Sequence, residues 1–206
     1  MACKAMCTFA IHVAIGFASV ASAGAAHAEV ALGASFGYTH LSSNDDGFRS
    51  SVNVVGIPGT DEFTQPGIRV GYIAPGRLWD LNADVGLVHW SSSLGSHGTQ
   101  IELLPQFQMN ARGSGGFSAF GNGGVGVVYT TVPTSFTSSI SATRTVFGAG
   151  IGVRKSISED HGLLRVELRF DHVPKYTKEE SPSSSFTFLA ADLYSVKLGF
   201  DLLVAR

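Results

Sequence analysis

From residue 29 onward, apolar and polar residues alternate with a period of two, the pattern of β-strands whose two faces meet different surroundings. In the first such segment Val30, Leu32, Ala34, Phe36 and Tyr38 share one face, and Gly33, Ser35, Gly37 and Thr39 the other. The second sets Ile68, Val70 and Tyr72 against Arg69 and Gly71. The third sets Trp79, Leu81, Ala83, Val85 and Leu87 against Asp80, Asn82 and Asp84. In the fourth, Ile101, Leu103, Phe107 and Met109 alternate with Gln100, Glu102, Gln106, Gln108 and Asn110. The fifth spans 117 to about 131 and the sixth about 143 to 155, where Phe147, Ala149, Ile151 and Val153 oppose Arg144, Gly148, Gly150, Gly152 and Arg154. The seventh sets Leu164, Val166, Leu168 and Phe170 against Arg165, Glu167, Arg169 and Asp171. The eighth sets Tyr194, Val196, Leu198 and Phe200 against Ser195, Lys197, Gly199 and Asp201.

The connections alternate as well. Residues 74–77 ("APGR"), 112–116 ("RGSGG") and 156–162 are short and turn-like, whereas about 42–61, 91–98, 132–142 and 174–186 are longer and polar. Short turns at one end and long loops at the other are the pattern of an outer-membrane barrel. One strand face is nearly free of charge. In lipid every backbone group must pair within the protein, so such strands must close on themselves. The expected fold is therefore all-β: an eight-stranded antiparallel transmembrane β-barrel, apolar outside and polar inside. Tyr38, Tyr72, Trp79, Phe117, Tyr129, Tyr194 and Phe200 fall near strand ends, where interfacial aromatic girdles sit. Asp192 interrupts the apolar face of the last strand and is expected at its loop end. A soluble lipocalin-like barrel is the alternative, with the same alternation turned inside out.

The N-terminus has the features of an export signal. Lys4 precedes an apolar stretch from Phe9 to Val20, and Ala26-His27-Ala28 fits a small-x-small cleavage pattern, with Ala21-Ser22-Ala23 as a second candidate. The apolar stretch is shorter than the roughly 20 residues of a spanning helix. The expected division is a cleaved signal peptide over residues 1–28 and a barrel domain over 29–206. Cys3 and Cys7 are the only cysteines, and both lie in the signal segment, so disulfides, thiol catalysis and thiolate metal sites are excluded from the mature chain. A net charge of −2 gives no indication of nucleic-acid binding.

The stretch "GNGGVG" at 121–126 has the spacing of a dinucleotide-binding loop. That motif needs a helix after its last glycine, so that phosphate can sit on the helix N-terminus. Here "VVYTTVP" follows, which continues a strand. By parity Gly124 and Gly126 face inward, as do Gly148, Gly150 and Gly152. Omitting those side chains leaves room for long ones inside a narrow barrel. Gly121 and Gly123 face outward, and nothing in the pattern accounts for them.

The pieces "FSAFGNGGVGVVY", "FGAGIGVRKSISEDHGLLRVELRFDH" and "DLYSVKLGF" resemble the small eight-stranded outer-membrane barrels of the OmpA/OmpX type, and the resemblance covers essentially all of 29–206. It implies residence in a Gram-negative outer membrane, contact with its lipid and lipopolysaccharide, and delivery by periplasmic chaperones and the barrel assembly machinery. One departure is the C-terminus. Such barrels commonly end on an aromatic, whereas here "DLLVAR" follows Phe200.

The inward charges nearly balance: Asp80, Asp84, Glu102, Glu167 and Asp171 against Arg69, Arg144, Arg154, Arg165, Arg169 and Lys197. An internal salt-bridge network that plugs the barrel is expected, with a narrow ion-conducting path as the alternative. His40, His89, His97 and His172 show no ligand-spaced pair, so no metal or other cofactor is expected. The outer-membrane lipid A deacylases, also small barrels, are similar to "LRFDH" in placing a His on a late strand at the lipid-facing outer edge. That family needs a Ser two residues after the His and an acid on the next strand. Here position 174 is Pro, while Ser181 and Ser183 to Ser185 lie in a loop without fixed spacing. A base without a positioned nucleophile is not a catalytic site, so no catalytic residue is assigned. The expected role is structural or interactive, through loops that contact a host or surface ligand. The segment 174–186, with Lys175, Lys178, Glu179 and Glu180, is the most charged candidate surface.

Overall fold

A computed structural model of the chain describes residues 29–42, 62–91, 97–111, 113–133, 139–157, 161–181, 184–188 and 190–205. The expected signal segment lies outside the described residues. The strands are β1 (Glu29–Ser42), β2 (Glu62–Ile73), β3 (Trp79–Ser91), β4 (His97–Asn110), β5 (Phe117–Pro133), β6 (Ser139–Ile157), β7 (Gly162–Val173), β8 (Tyr176–Ser181), β9 (Ser184–Phe188) and β10 (Ala191–Ala205). Eight of them close a barrel in the order β1-β10-β7-β6-β5-β4-β3-β2, each antiparallel to its neighbours.

The β2–β3, β4–β5 and β6–β7 connections gather at one end with Glu29 and Ala205; at the other, the long-connection end, β1–β2 and β7–β10 are long, whereas β3–β4 and β5–β6, read from sequence as longer loops, are five residues each because their strands stay paired to Ser91–His97 and Pro133–Ser139. The β4–β5 reversal uses Gly115 and Gly116, both with positive φ (64° and 77°), a conformation glycine adopts without a Cβ penalty. The last strand runs on past Phe200 to Ala205, with Leu202 and Val204 still outward.

The faces are those read from the alternation. Glu167 and Asp171 are 0% and 1% exposed, whereas Met109 and Ile151 on the opposite face are each 65% exposed. A soluble barrel would show the reverse, and the burial overturns it. A closed sheet with an apolar exterior satisfies both demands of hydrocarbon: paired backbone and no outward charge along the middle of the wall.

The segment 174–186 is not a plain loop. Its Tyr, Thr and Phe residues form a hairpin, β8–β9, in which Tyr176 pairs with Phe188 and Lys178 with Phe186. Likewise β5 and β6 stay paired out to Pro133 and Ser139, beyond the limits read from sequence. The hairpin docks on that extension. Phe188 packs with Ile140 and Ala142 on the inner face of β6, and Lys178 Nζ donates to the Ser141 carbonyl at 2.9 Å.

Candidate functional site

Glu167 is the centre of the barrel interior. It accepts from Arg165 Nη1 at 3.0 Å, Arg169 Nη1 at 3.2 Å, Arg69 Nη2 at 3.5 Å and Asn122 Nδ2 at 2.9 Å. Each arginine then reaches a second acid. Arg69 binds Asp84 through two nitrogens, the longer bond 2.7 Å. Arg169 Nε lies 2.8 Å from both Asp171 oxygens, and Arg165 Nε is 3.3 Å from Asp201. Gln106 links two of these pairs, donating to Asp84 at 2.7 Å and accepting from Arg169 at 2.9 Å. Nearer the short-turn end, Asp80 accepts from Arg154, from Gln108 at 2.9 Å and from Asn110 at 3.1 Å. Arg77 in the first turn donates to both Glu29 oxygens at 2.9 Å.

Three residues of the sequence-derived set stand apart from this network. Arg144 faces inward, but its guanidinium contacts Thr130 Oγ1 at 3.5 Å and lies 5.4 Å from the Phe188 ring centre, so the hairpin holds it near the long-connection end. Glu102 and Lys197 are buried, 2% and 6% exposed, yet neither forms an ion pair among the described residues. Asp201 and the amides Gln106 and Asn122 belong to the network and were not in that set. Asp201 could have been found, because it shares parity with Lys197.

The inward glycines make this crowding possible. A Cβ on Gly148 would lie 2.3 Å from both Arg169 Nη2 and Asp171 Oδ1. One on Gly150 would lie 2.6 Å from Glu167 Oε1, and one on Gly199 2.5 Å from Arg165 Nη2. Gly124 and Gly126 answer a different need, the close approach of β4: their Cβ atoms would strike the carbonyls of Pro105 and Leu103 at 2.0 and 2.1 Å. The "GNGGVG" spacing is therefore strand packing and not a phosphate loop.

The interior is not polar throughout. Toward the long connections, Leu104, Val128, Val146 and Val173 form an apolar cluster, each 0–1% exposed. At the opposite end Ala31, Ile73 and Leu163 form another, joined by Leu203. Phe188 with Ile140 and Ala142 adds a third under the hairpin. The cluster at the short-turn end lies beside Asp80, and the one around Leu104 beside Glu102 and Arg144.

On the outer face, His172 Nδ1 lies 2.6 Å from Asp192 Oδ1 across β7 and β10. This supplies the acid on the next strand that the deacylase resemblance requires. The nucleophile is still missing: Pro174 occupies its place, and no serine among the described residues bonds His172. Ser181 and Ser184 pair with each other in the hairpin.

No protein-family model and no curated protein matches the chain. Solved structures do. Neisserial surface protein A superposes with a TM-score of 0.63 at 11% identity, over 86% of this chain and 99% of that one. The chain has the fold of the small eight-stranded outer-membrane barrels. Outer membrane protein AlkL, solved in lipid bilayers, matches this barrel at TM-score 0.52 and 16% identity, over 85% of this chain and 90% of its own. Ail, the attachment invasion locus protein of Yersinia pestis, was solved with the heparin analogue sucrose octasulfate. It matches at 0.51 and 10% identity, over 85% and 99% of the two chains.

Proposed function

We propose that this is an outer-membrane surface protein that acts through its long-connection end and not through its lumen. The observation that carries the reading is the filled interior: the salt-bridge network around Glu167 occupies the lumen, and apolar clusters lie beside it toward either end. An ion crossing the lumen would have to displace buried side chains that are already paired with one another. A channel is therefore the poorer reading. A hydrolase is poorer still, because among the described residues no hydroxyl bonds the His172–Asp192 pair. On this reading residues 1–28 are a cleaved export signal and 29–206 the barrel domain. Membrane lipid and lipopolysaccharide surround the wall, and chaperones and the assembly machinery deliver it.

The β8–β9 hairpin is the candidate contact surface for a host or surface ligand, since it stands at the long-connection end and Tyr176 on it is exposed. The polyanion bound by Ail is not its expected ligand. The sequence there mixes Lys175 and Lys178 with Glu179 and Glu180, so it offers no one-signed cationic surface. The test compares cells displaying the protein with cells in which residues 176–188 are replaced by a short Gly/Ser linker, scoring adhesion to host-cell layers. The purified barrel is examined in planar bilayers in parallel. Adhesion lost with the hairpin, and no conductance, is the expected result. Steady single-channel conductance would reverse the reading.

A further inference from the structure

The β8–β9 hairpin is the β7–β10 ladder resumed after a break. Pairing of β7 with β10 reaches Val173 and Ala191, lapses for two residues on each strand, and returns at Tyr176 and Phe188. An equal gap on both strands keeps the register. Pro174 stands in that gap and has no N–H to give to a ladder.

The break leaves β6 with an open edge. Its pairing with β5 runs out to Ser139, but its pairing with β7 stops at Phe147 and His172. Among the described residues no strand pairs with the second edge of residues 139–146. In an antiparallel strand the N–H and C=O groups of alternate residues point to each neighbour. An open edge of this length is a template for another strand, and proteins ordinarily cover it.

Continued past Phe147 and His172, the β6–β7 register sets Thr143 opposite Tyr176 and Ser141 opposite Lys178. Lys178 does reach Ser141, but with its side chain: Nζ donates to the carbonyl at 2.9 Å, and no ladder joins β8 to β6. The hairpin thus stands at the height of a ladder it does not form, displaced inward. Phe188 holds it there, 4% exposed against Ile140 and Ala142, with the Arg144 guanidinium 5.4 Å from its ring centre.

We infer that the hairpin has two seats. In the first, described above, it lies inside β6 and covers its two phenylalanines. In the second, β8 zips onto the open edge of residues 139–146 and the wall rises by two strands. Parity then turns Tyr176, Phe186 and Phe188 outward, on the face that carries Phe170 and Tyr194. This rests on the contact-surface reading above and adds its control: the aromatic face is withheld in one seat and offered in the other. β8 is the occupant of that edge because it is already attached beside it in the matching register.

The test drives the hairpin from its first seat. Ala142→Phe fills the place of Phe188 on β6 and leaves the hairpin unaltered, whereas Phe188→Ala removes the anchor from the other side. Each mature barrel is placed in vesicles, and its closure is verified by a gel shift between unheated and boiled protein. Amide exchange of residues 139–146, followed by mass spectrometry, should slow several-fold in both variants, because β8 takes the edge. Unchanged or faster exchange in a variant that closes would overturn the second seat. Cys3 and Cys7 are the only cysteines, so the mature chain also allows a register scan. In the Phe188→Ala background, Tyr176→Cys is combined in turn with Ser141→Cys, Thr143→Cys and Thr145→Cys. Disulfide yield should peak at Thr143, and equal yields would overturn the ladder. Cells displaying Ala142→Phe should adhere to host-cell layers several-fold more than cells displaying the unaltered protein. Adhesion lost with the Gly/Ser replacement of 176–188 but unchanged by Ala142→Phe would overturn this inference alone. Adhesion that survives the replacement would overturn the contact reading.

Discussion

Arg69 and Glu167 lie 98 positions apart in the chain and 3.5 Å apart in the lumen. Arg165 and Arg169 reach the same carboxylate from Glu167's own strand. One acid therefore holds three guanidinium groups that would otherwise repel one another in a space with little water.

Removing that acid should be the most damaging change in the interior. Breaking a buried ion pair by deleting one partner costs about 3–5 kcal/mol, because the other charge stays buried. Glu167→Ala should fall in that range, and Glu167→Gln, which keeps an acceptor for Asn122, should cost less. Urea unfolding midpoints of detergent-refolded protein measure both. A loss under about 1 kcal/mol for the alanine variant would mean the guanidinium groups are held by their outer partners alone.

Neighbouring glycines should respond oppositely. Gly126→Ala forces a Cβ into the Leu103 carbonyl and should prevent closure or strongly lower stability, whereas Gly123→Ala should be nearly neutral. The fraction of heat-modifiable barrel on a detergent gel separates them. Equal behaviour would mean β4 and β5 are not as close as described.

Leu103 stands between buried Glu102 and Leu104 and so faces outward, whereas Gln106 is buried in the lumen. Leu103→Arg should cost about 2–4 kcal/mol if it lies near the midplane of a bilayer. Equilibrium unfolding in lipid vesicles provides the value. An unchanged midpoint would place Leu103 outside the hydrocarbon.

Phe188 anchors the hairpin on Ile140 and Ala142. Phe188→Ala should free the β8–β9 hairpin without unfolding the barrel, since local openings need not reach the global transition. Limited proteolysis should cut near residues 182–189 much faster, with global stability changed by roughly 1 kcal/mol or less. Loss of the whole barrel would mean that the hairpin is part of its cooperative unit.

The eight barrel strands are legible in the sequence because each keeps one largely apolar face along its middle, and a period of two fixes which residues share it. The interior network is legible for the same reason: Arg69, Asp84, Arg165, Glu167 and Arg169 all share inward parity. Parity cannot say which charges meet, because strand tilt decides that. Thus Glu102 and Lys197 point inward without joining an ion pair, and Arg144 goes to the hairpin. The apolar layers were hidden by doublets such as Leu103-Leu104 and Val127-Val128, where both faces are apolar and the alternation carries no contrast. The hairpin was hidden because its strands, of 6 and 5 residues, are too short and too polar to show a face.

The closure of the barrel lies between β1 and β10, where Val30 meets Ala205 and Ser42 meets Asp192. Every other contact between barrel strands joins segments consecutive in the wall's order along the chain, so the sheet can grow strand by strand. The seam alone unites the earliest barrel strand with the latest. Until β10 is in place, β1 keeps an open edge that could pair with any foreign strand. The Arg77 contacts to Glu29 bear on that interval, for they pin the start of β1 to the first turn. The strand that must wait longest for its partner is thus tethered at its base, and the last 15-residue strand completes the ring like the final tooth of a zipper.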